Sequence, residues 1–269
     1  MIRPLRELWE YRELVRNLVE RDLKARYKSS FLGIAWSWLN PLLMMIVYSI
    51  LFTIFLNNDQ IGDYPIFLLS GLLPWNFFND AIMQGTGSVV GSAHLIKKVY
   101  FPRAVLPVSV VLANLVNFLL ALPVFFLLAL IVGRPPTLWA LLLPLPILLQ
   151  LAFSIGLTLF LSTLNVFYRD TQIILGVVML AWFFLTPVFY PIDTVPHQAV
   201  VLGMTVDPRM WLLRLNPMAS IVTTYRELLY WGVPSGWDFL LRTAVTSLAM
   251  LVFGYLVFQR FSRRFGEEV

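Results

Sequence analysis

Side chains that commonly carry catalysis or bind metals are sparse in this sequence. Cysteine is absent, which excludes a thiol nucleophile, a disulfide framework and a Cys-ligated metal site. The two histidines, His94 and His197, fall on opposite sides of the membrane predicted below and cannot share a metal. No Gly-x-Ser-x-Gly motif and no close carboxylate pair within a span occurs. We therefore predict a protein without catalytic residues.

The energy source of any transport is also missing from this chain. Binding of ATP in a P-loop would need Gly-x-x-x-x-Gly-Lys followed by Ser or Thr, which does not occur. Coupling to protons or sodium would need buried ionisable residues, and Asp80 is the one candidate inside a predicted span. At ~1.5 Å per residue it lies roughly 24 Å from Tyr64, near the inner interface. We expect ATP bound by a partner to supply the energy; an ion-coupled carrier or channel for a smaller solute is the alternative.

Large side chains recur along the first apolar segment at steps of seven, three, four and three residues. They are Trp38, Met45, Tyr48, Phe52 and Phe55. On a helix this spacing predicts that they share a face. The stripe is interpreted either as packing or as a surface on which sugar rings stack.

The loop after the second apolar segment mixes apolar and basic residues, from His94 to Arg103. A positive-inside signal accounts for Lys97 and Lys98. It does not explain the apolar residues Leu95 and Ile96, so the loop is predicted to contact another molecule. Just before it, Gly87 and Gly91 form a Gly-x-x-x-Gly step, which predicts close helix packing.

The segment 192–236 is too apolar for a free loop. Asn216 is a predicted helix N-cap, with Pro217 at the first helical position and Gly232 just past the end. We predict two short helices that dip into the outer leaflet. Basic residues stand among the aromatics there, which indicates either an interfacial belt or a water-filled mouth; they are Arg209, Arg214 and Arg226.

The N-terminal thirty residues predict a basic amphipathic helix in the headgroup plane. Its apolar residues recur at three- and four-residue steps: Leu5, Leu8, Tyr11, Val15, Leu18, Val19 and Leu23. The helix is interpreted as an anchor against anionic lipid, or additionally as the wall of a lateral opening for an anionic lipid-linked substrate.

The apolar composition indicates that membrane-spanning helices position these residues. The chain of 269 residues is 59% hydrophobic and 13% charged, with a mean hydropathy of +0.76, against about 25% charged in a soluble domain. Uncharged runs at 29–58, 104–133, 135–168, 171–192 and 243–259 are about as long as the ~20 residues that cross a bilayer. A sixth run, 64–96, is interrupted only by Asp80. The sequence predicts an all-α integral membrane protein with six transmembrane helices.

The basic residues give the orientation. Most of the 20 Lys and Arg residues fall on one predicted side. The other side receives Arg134, Arg209, Arg214, Arg226 and Arg242. Both termini are therefore predicted to be cytoplasmic. This distribution by membrane side argues against nucleic-acid binding despite the net charge of +5.

Several segments, taken in order, resemble the ABC-2 type permeases that export polysaccharides. They are 27–36 (YKSSFLGIAW), 39–42 (LNPL), 68–78 (LLSGLLPWNFF), 95–103 (LIKKVYFPR), Arg169-Asp170, 186–190 (TPVFY) and Asn216-Pro217. The resemblance covers nearly the whole chain. It implies one transmembrane domain over 1–269, with an interface helix at 1–30, a six-span bundle at 31–259, a gate segment at about 191–236 and a cytoplasmic tail at 260–269.

The resemblance also implies partners, substrate and site residues. Such permeases are homodimers in the bacterial inner membrane, paired with two ATPase subunits that bind ATP and Mg, and they move lipid-linked O-antigen, teichoic acid or capsule outward. It implies an ATPase coupling helix at Ala93, His94, Leu95, Ile96, Lys97 and Lys98. Channel-lining residues would be Trp38, Met45, Tyr48, Phe52 and Phe55 with Phe183 and Tyr190, gate residues Arg209, Arg214 and Arg226, and lipid-headgroup residues Arg21, Lys24, Arg26 and Lys28. The chain itself is expected to hold no cofactor or metal; a membrane-bound glycosyl transferase is the remaining alternative.

Overall fold

The computed structural model describes residues 10–28, 33–55, 61–196, 198–201 and 204–269. Leu5, Leu8 and His197 lie outside these residues, as does the side chain of Phe55. Except for one short hairpin, the described chain is helical wherever it has regular structure.

The elements follow the apolar runs of the sequence. The helices are α1 Arg12–Tyr27, α2 Trp36–Ser49, α3 Tyr64–Gly91, α4 Ala93–Lys98, α5 Val105–Ile131, α6 Pro144–Phe167, α7 Thr171–Leu185, α8 Pro208–Leu215, α9 Pro217–Arg226, α10 Trp237–Ser262 and α11 Phe265–Glu268. Helices α2 and α9 continue as π-helices, Ile50–Phe55 and Glu227–Trp231. Strands β1 Ala199–Val201 and β2 Met204–Val206 pair antiparallel, with Ala199 opposite Val206. The hairpin lies in the segment 192–236 and departs from the all-α prediction.

Four segments of the described chain are long and apolar enough to cross a membrane by length and composition. They are Tyr64–Lys98, Val105–Ile131, Leu138–Phe167 and Trp237–Ser262. The other two predicted spans form shorter apolar helices, Trp36–Phe52 and Thr171–Leu185. The structure therefore agrees with a helical membrane protein, and six crossings remain a prediction.

Helix α3 is the centre of the bundle. Its apolar residues are buried around most of its circumference, including Phe67, Leu68, Phe78 and Ile82. The neighbouring helices α2, α5, α6 and α7 all pack against it. By contrast, none of the described residues of α2 is buried. The bundle thus has α3 as a tightly packed interior helix, whereas α2 lies on its surface.

Close helix packing occurs at one of the two predicted glycines, Gly87, where a Cβ would stand 3.3 Å from the Gln172 side chain of α7, and more tightly between α6 and α10. A Cβ on Gly156 of α6 would lie 2.5 Å from the Leu251 Cα of α10, and a Cβ on Gly254 would overlap the Gly156 carbonyl. Small residues let these two backbones approach each other. A Cβ on Gly91 would meet nothing within 4 Å, so the close-packing prediction was wrong at that position.

Helix α1 packs part of its apolar stripe against the protein. Leu18 packs with Phe101, Val105 and Leu106 at the start of α5, and Leu14 and Val15 of α1 pack against this cluster. The opposite face is polar, with Glu20 accepting hydrogen bonds from Arg16 (3.1 Å) and Lys24 (3.4 Å). The bonds from Lys24 and Arg16 hold the pKa of Glu20 below its usual value. Part of the described stripe therefore contacts the chain itself, and its role as an anchor against lipid stays a prediction.

Candidate functional site

An aromatic cluster joins α2, α3 and the C-terminal end of α7 with the loop that follows it. The Phe52 ring centroid lies 5.5 Å from that of Tyr64 and 5.3 Å from that of Phe189. Phe183 stands 5.7 Å from Phe189 and 6.2 Å from Tyr48. These are ordinary separations for interacting rings. The structure thus brings Tyr48 and Phe52 of the first predicted span next to Phe183 of the fifth.

Beside this cluster, α2 and α7 form the walls of an open groove whose floor is α3. Its volume is about 290 Å³. Its lining residues are Met44, Tyr48, Leu72, Trp75, Asn76, Asn79, Met83, Gly176, Met179, Leu180 and Phe183. We call it the aromatic groove. Rings and thioethers supply polarisable apolar surface, while the amides of Asn76 and Asn79 both donate and accept hydrogen bonds.

Of the remaining predicted channel residues, Trp38 lies away from the groove, whereas Met45 and Tyr190 stay near the aromatic cluster. Trp38 turns toward α5, where its Nε1 donates to the Leu120 carbonyl at 2.8 Å, so the prediction of one shared face was wrong for Trp38. Tyr48 follows Trp38 by ten positions, so at 3.6 residues per turn the two side chains point about 80° apart around the helix. Met45 is half-buried against the core. Tyr190 packs against Phe189 at the end of the cluster, and its hydroxyl donates to the Phe184 carbonyl at 3.2 Å.

Arg226, at the end of α9, is buried at 4% exposure. Its Nη1 donates to the Pro187 carbonyl at 2.7 Å and its Nη2 to the Val188 carbonyl at 2.8 Å. The guanidinium carbon lies 3.8 Å from the centroid of the Phe67 ring, a cation–π geometry. A Cβ at Gly71 would stand 2.8 Å from Nη2, so glycine leaves room for the guanidinium. Arg226 therefore holds the loop that follows α7. It is buried in the protein and does not line a water-filled mouth.

The other two predicted gate arginines lie apart from it. Arg209 pairs with Asp193, and Arg214 is exposed on α8. The three arginines thus do not form one cluster.

A polar junction that the sequence did not indicate links α9 to α7. Asn216 caps α9 as predicted, because its Oδ1 accepts from the backbone N–H groups of Met218 and Ala219. The same oxygen accepts from Trp182 Nε1 at 2.7 Å, and its Nδ2 donates to the Leu185 carbonyl at 3.1 Å. The cap was readable from the Asn-Pro dipeptide. The hydrogen bond from Trp182 depends on how α7 and α9 pack together, and the sequence around Asn216 does not indicate it.

Helix α4 covers Ala93–Lys98, the segment in which the resemblance implies a coupling helix. Its apolar side chains, Leu95 and Ile96, turn inward and pack against the cluster around Leu18. Ile96 also touches a second cluster that contains Phe265 of α11. The outward surface comprises His94, Lys97, Lys98, Val99 and Tyr100, the last 98% exposed. Any partner that docks here meets these residues, whereas the sequence pointed to Leu95 and Ile96.

The four predicted headgroup residues divide into two sets. Arg21, Lys24 and Lys28 are exposed on α1. Arg26 turns into the bundle, where its Nη1 donates to Asn114 Oδ1 at 3.0 Å and its Nη2 donates to Gln84 Oε1. Arg26 is thus placed to bind a group inside the protein. Within the described residues, no three His, Cys, Asp or Glu side chains gather as a metal site.

Comparison with known proteins agrees with this architecture. Residues 13–230 match the family described as ABC-2 type transporter. The chain is 39% identical over 269 residues, the full length of both proteins, to an O-antigen export system permease protein from Myxococcus xanthus. It is 32% identical to one from Klebsiella pneumoniae over 93% of this chain and 92% of the relative. Identity to a polysialic acid transport protein from Escherichia coli is 23% over 91% and 92%. The chain belongs to the ABC-2 type transporter family.

Proposed function

We propose that this chain is the membrane permease subunit of an ATP-driven exporter that moves lipid-linked polysaccharide of O-antigen, teichoic acid or capsule type out of the cytoplasm. The observation that carries the proposal is the aromatic groove, which presents rings and amides together along α2, α3 and α7. Full-length similarity to permeases named for O-antigen export supports the same substrate class.

The lining of the groove suits a polysaccharide that moves along it during export. Tyr48 offers a partly exposed ring against which the C–H surfaces of sugar rings can pack, and the buried rings of Trp75 and Phe183 support it from behind. Asn76 and Asn79 exchange hydrogen bonds with hydroxyl groups, which are both donors and acceptors. Such contacts are individually weak and do not depend on one sugar sequence. A chain can therefore advance without being held at one register.

The groove is open on one side, and a second copy would close it. Along its rim α7 exposes an apolar row at steps of three and four residues: Ile173, Val177, Leu180 and Phe184. Two such surfaces facing each other would enclose a conduit, which supports a homodimer. In this proposal α2 with its π-helix and α7 with its following loop complete six spans, with both termini cytoplasmic. Helices α8 and α9 form the external gate.

ATP energy would arrive at α4. Lys97 and Lys98 of α4, and Tyr100 just after it, are exposed and available to a cytoplasmic partner. The inward face of α4 is packed on α1 and near α11. A displacement of α4 would therefore move both terminal helices. ATP and Mg would bind in two separate ATPase subunits.

The test is transport by purified permease with and without its ATPase in proteoliposomes that contain a lipid-linked glycan. We expect the glycan to become accessible to a glycosidase on the opposite side only with ATP and a competent ATPase. A catalytically inactive ATPase is the control. Transport by the permease alone would identify a channel or ion-coupled carrier, and covalent change of the glycan by the permease alone would identify a transferase.

A groove variant links this activity to the structure. Because Tyr48 lies within the groove, Tyr48→Leu should slow export several-fold without loss of ATPase association. Phe160→Leu is the matched control, since Phe160 packs against Phe253 between α6 and α10, away from the groove. Equal export by the two variants would show that Tyr48 serves packing alone.

A further inference from the structure

A second cavity lies between α2, α3 and α5, nearer the start of α2 than the aromatic groove. Its volume is about 240 Å³. Its lining residues are Arg26, Trp36, Ser37, Asn40, Pro41, Leu73, Asn76, Phe77, Asp80, Asn114, Asn117, Phe118 and Ala121. We call it the amide cavity, because four asparagines line it. At the ~30 Å³ that a water molecule occupies in the liquid, it has room for about eight waters.

The cavity contains one positive and one negative side chain. Arg26 uses Nη1 and Nη2 to bind the amides of Asn114 and Gln84, and a guanidinium has further N–H groups to donate. Within the described residues, Asp80 makes one hydrogen bond, a long one of 3.4 Å from Asn79 Nδ2. Its carboxylate therefore has acceptor capacity to spare. The two formal charges cancel, so the cavity does not select for an anion.

These groups are those that recognise neutral polyhydroxyl compounds. A sugar hydroxyl both donates and accepts, so it is complementary to an amide, to a carboxylate that accepts and to a guanidinium that donates. Trp36 adds an aromatic surface that is 44% exposed. A free phosphate or pyrophosphate would meet Asp80 as a like charge. An apolar lipid chain would offer the Asp80 carboxylate no donor beyond the long hydrogen bond from Asn79, which is costly.

We propose that the amide cavity binds one neutral sugar residue. The proposal rests on the glycan substrate proposed above and adds a second contact for it. Asn76 lines both the amide cavity and the aromatic groove, so the two spaces adjoin beneath α2. A branch or terminal sugar can occupy the cavity while the chain occupies the groove. The cavity then retains the glycan between power strokes of the ATPase.

The absence of cysteine allows a direct test. Asn40→Cys places a single thiol at the cavity, and Asn17→Cys places one on the exposed face of α1 as the matched control. The permease–ATPase complex in nanodiscs is treated with a charged methanethiosulfonate, and the modification rate is measured with and without maltose, lactose or N,N′-diacetylchitobiose at high concentration. We expect at least one disaccharide to slow modification of Asn40→Cys by threefold or more and to leave Asn17→Cys unchanged. Adding Asn76→Leu should abolish the protection.

Other outcomes would overturn the proposal. Equal rates with and without every disaccharide would show that the cavity does not bind sugars. Protection by glycerol 3-phosphate alone would make it an anion site, and protection that survives Asn76→Leu would place the sugar elsewhere. ATP-dependent export in the proteoliposome assay stands separately. If export occurs without protection, the cavity proposal fails and the proposed function does not.

Discussion

The buried guanidinium of Arg226 allows the sharpest structural prediction. Arg226→Met replaces it with an apolar side chain of similar length and leaves the carbonyls of Pro187 and Val188 without their donors. Each buried acceptor without a partner costs about 1–3 kcal/mol, so two cost about 2–6 kcal/mol. Removing the buried charge recovers part of this, because a buried guanidinium is itself desolvated. We expect a net loss of about 2 kcal/mol, which is roughly a 30-fold change in an equilibrium constant.

The loss should be local to the loop after α7 and is measured there. Val188 is fully buried, so Val188→Cys in the cysteine-free chain should react slowly with a thiol reagent. In the Arg226→Met background its modification should be about 30-fold faster, and the thermal unfolding midpoint of the complex should fall. Arg209→Met is the control, because Arg209 pairs with the exposed Asp193 and exposed ion pairs contribute about 0–1 kcal/mol.

The reasoning is refuted if Arg226→Met and Arg209→Met have the same effect on the reactivity of Val188→Cys. That result would mean that packing alone holds the loop. Arg226→Lys separates charge from geometry, since lysine keeps the charge but loses the planar fork that reaches two carbonyls at once. We expect it to lie between the native chain and Arg226→Met in both measurements.

Three further predictions concern other parts of the bundle. Gly156→Ala should impair assembly, measured as monodisperse protein after detergent extraction, because its Cβ would overlap the α10 backbone; Gly176→Ala, which meets nothing within 4 Å, should not. Changing Lys97 and Lys98 together to Glu should weaken ATPase copurification and reverse its salt dependence, since both side chains are exposed on α4; unchanged recovery would place the docking surface elsewhere. Asn216→Ala should cost about 2 kcal/mol in thermal stability, about 1 kcal/mol from the cap and about 1 kcal/mol from the bond to Trp182; a loss limited to the cap would show that the link to α7 contributes nothing.

The sequence alone determined where helices form and which family the chain resembles. Apolar runs locate α3, α5, α6, α7 and α10 because helix length and hydropathy are local properties. Asn216 and Gly232 were recognised as helix ends because capping depends on a few neighbouring residues; Gly232 adopts φ +64° as a left-handed cap requires. The short helix at Ala93–Lys98 lies where the family resemblance implied it. Its role as a coupling helix stays a prediction.

Only the tertiary structure decided where the long polar side chains point. Arg226 and Arg26 look alike in the sequence to the exposed Arg214 and Arg21, yet the first two turn inward. Neighbouring helices offer them carbonyl or amide oxygens that the chain places far away in sequence. Leu95 likewise faces α1 because that helix covers it. Helical periodicity sets the direction of a side chain to within a fraction of a turn, but its partner depends on which helix packs on that side, and the arrangement of the helices decides that.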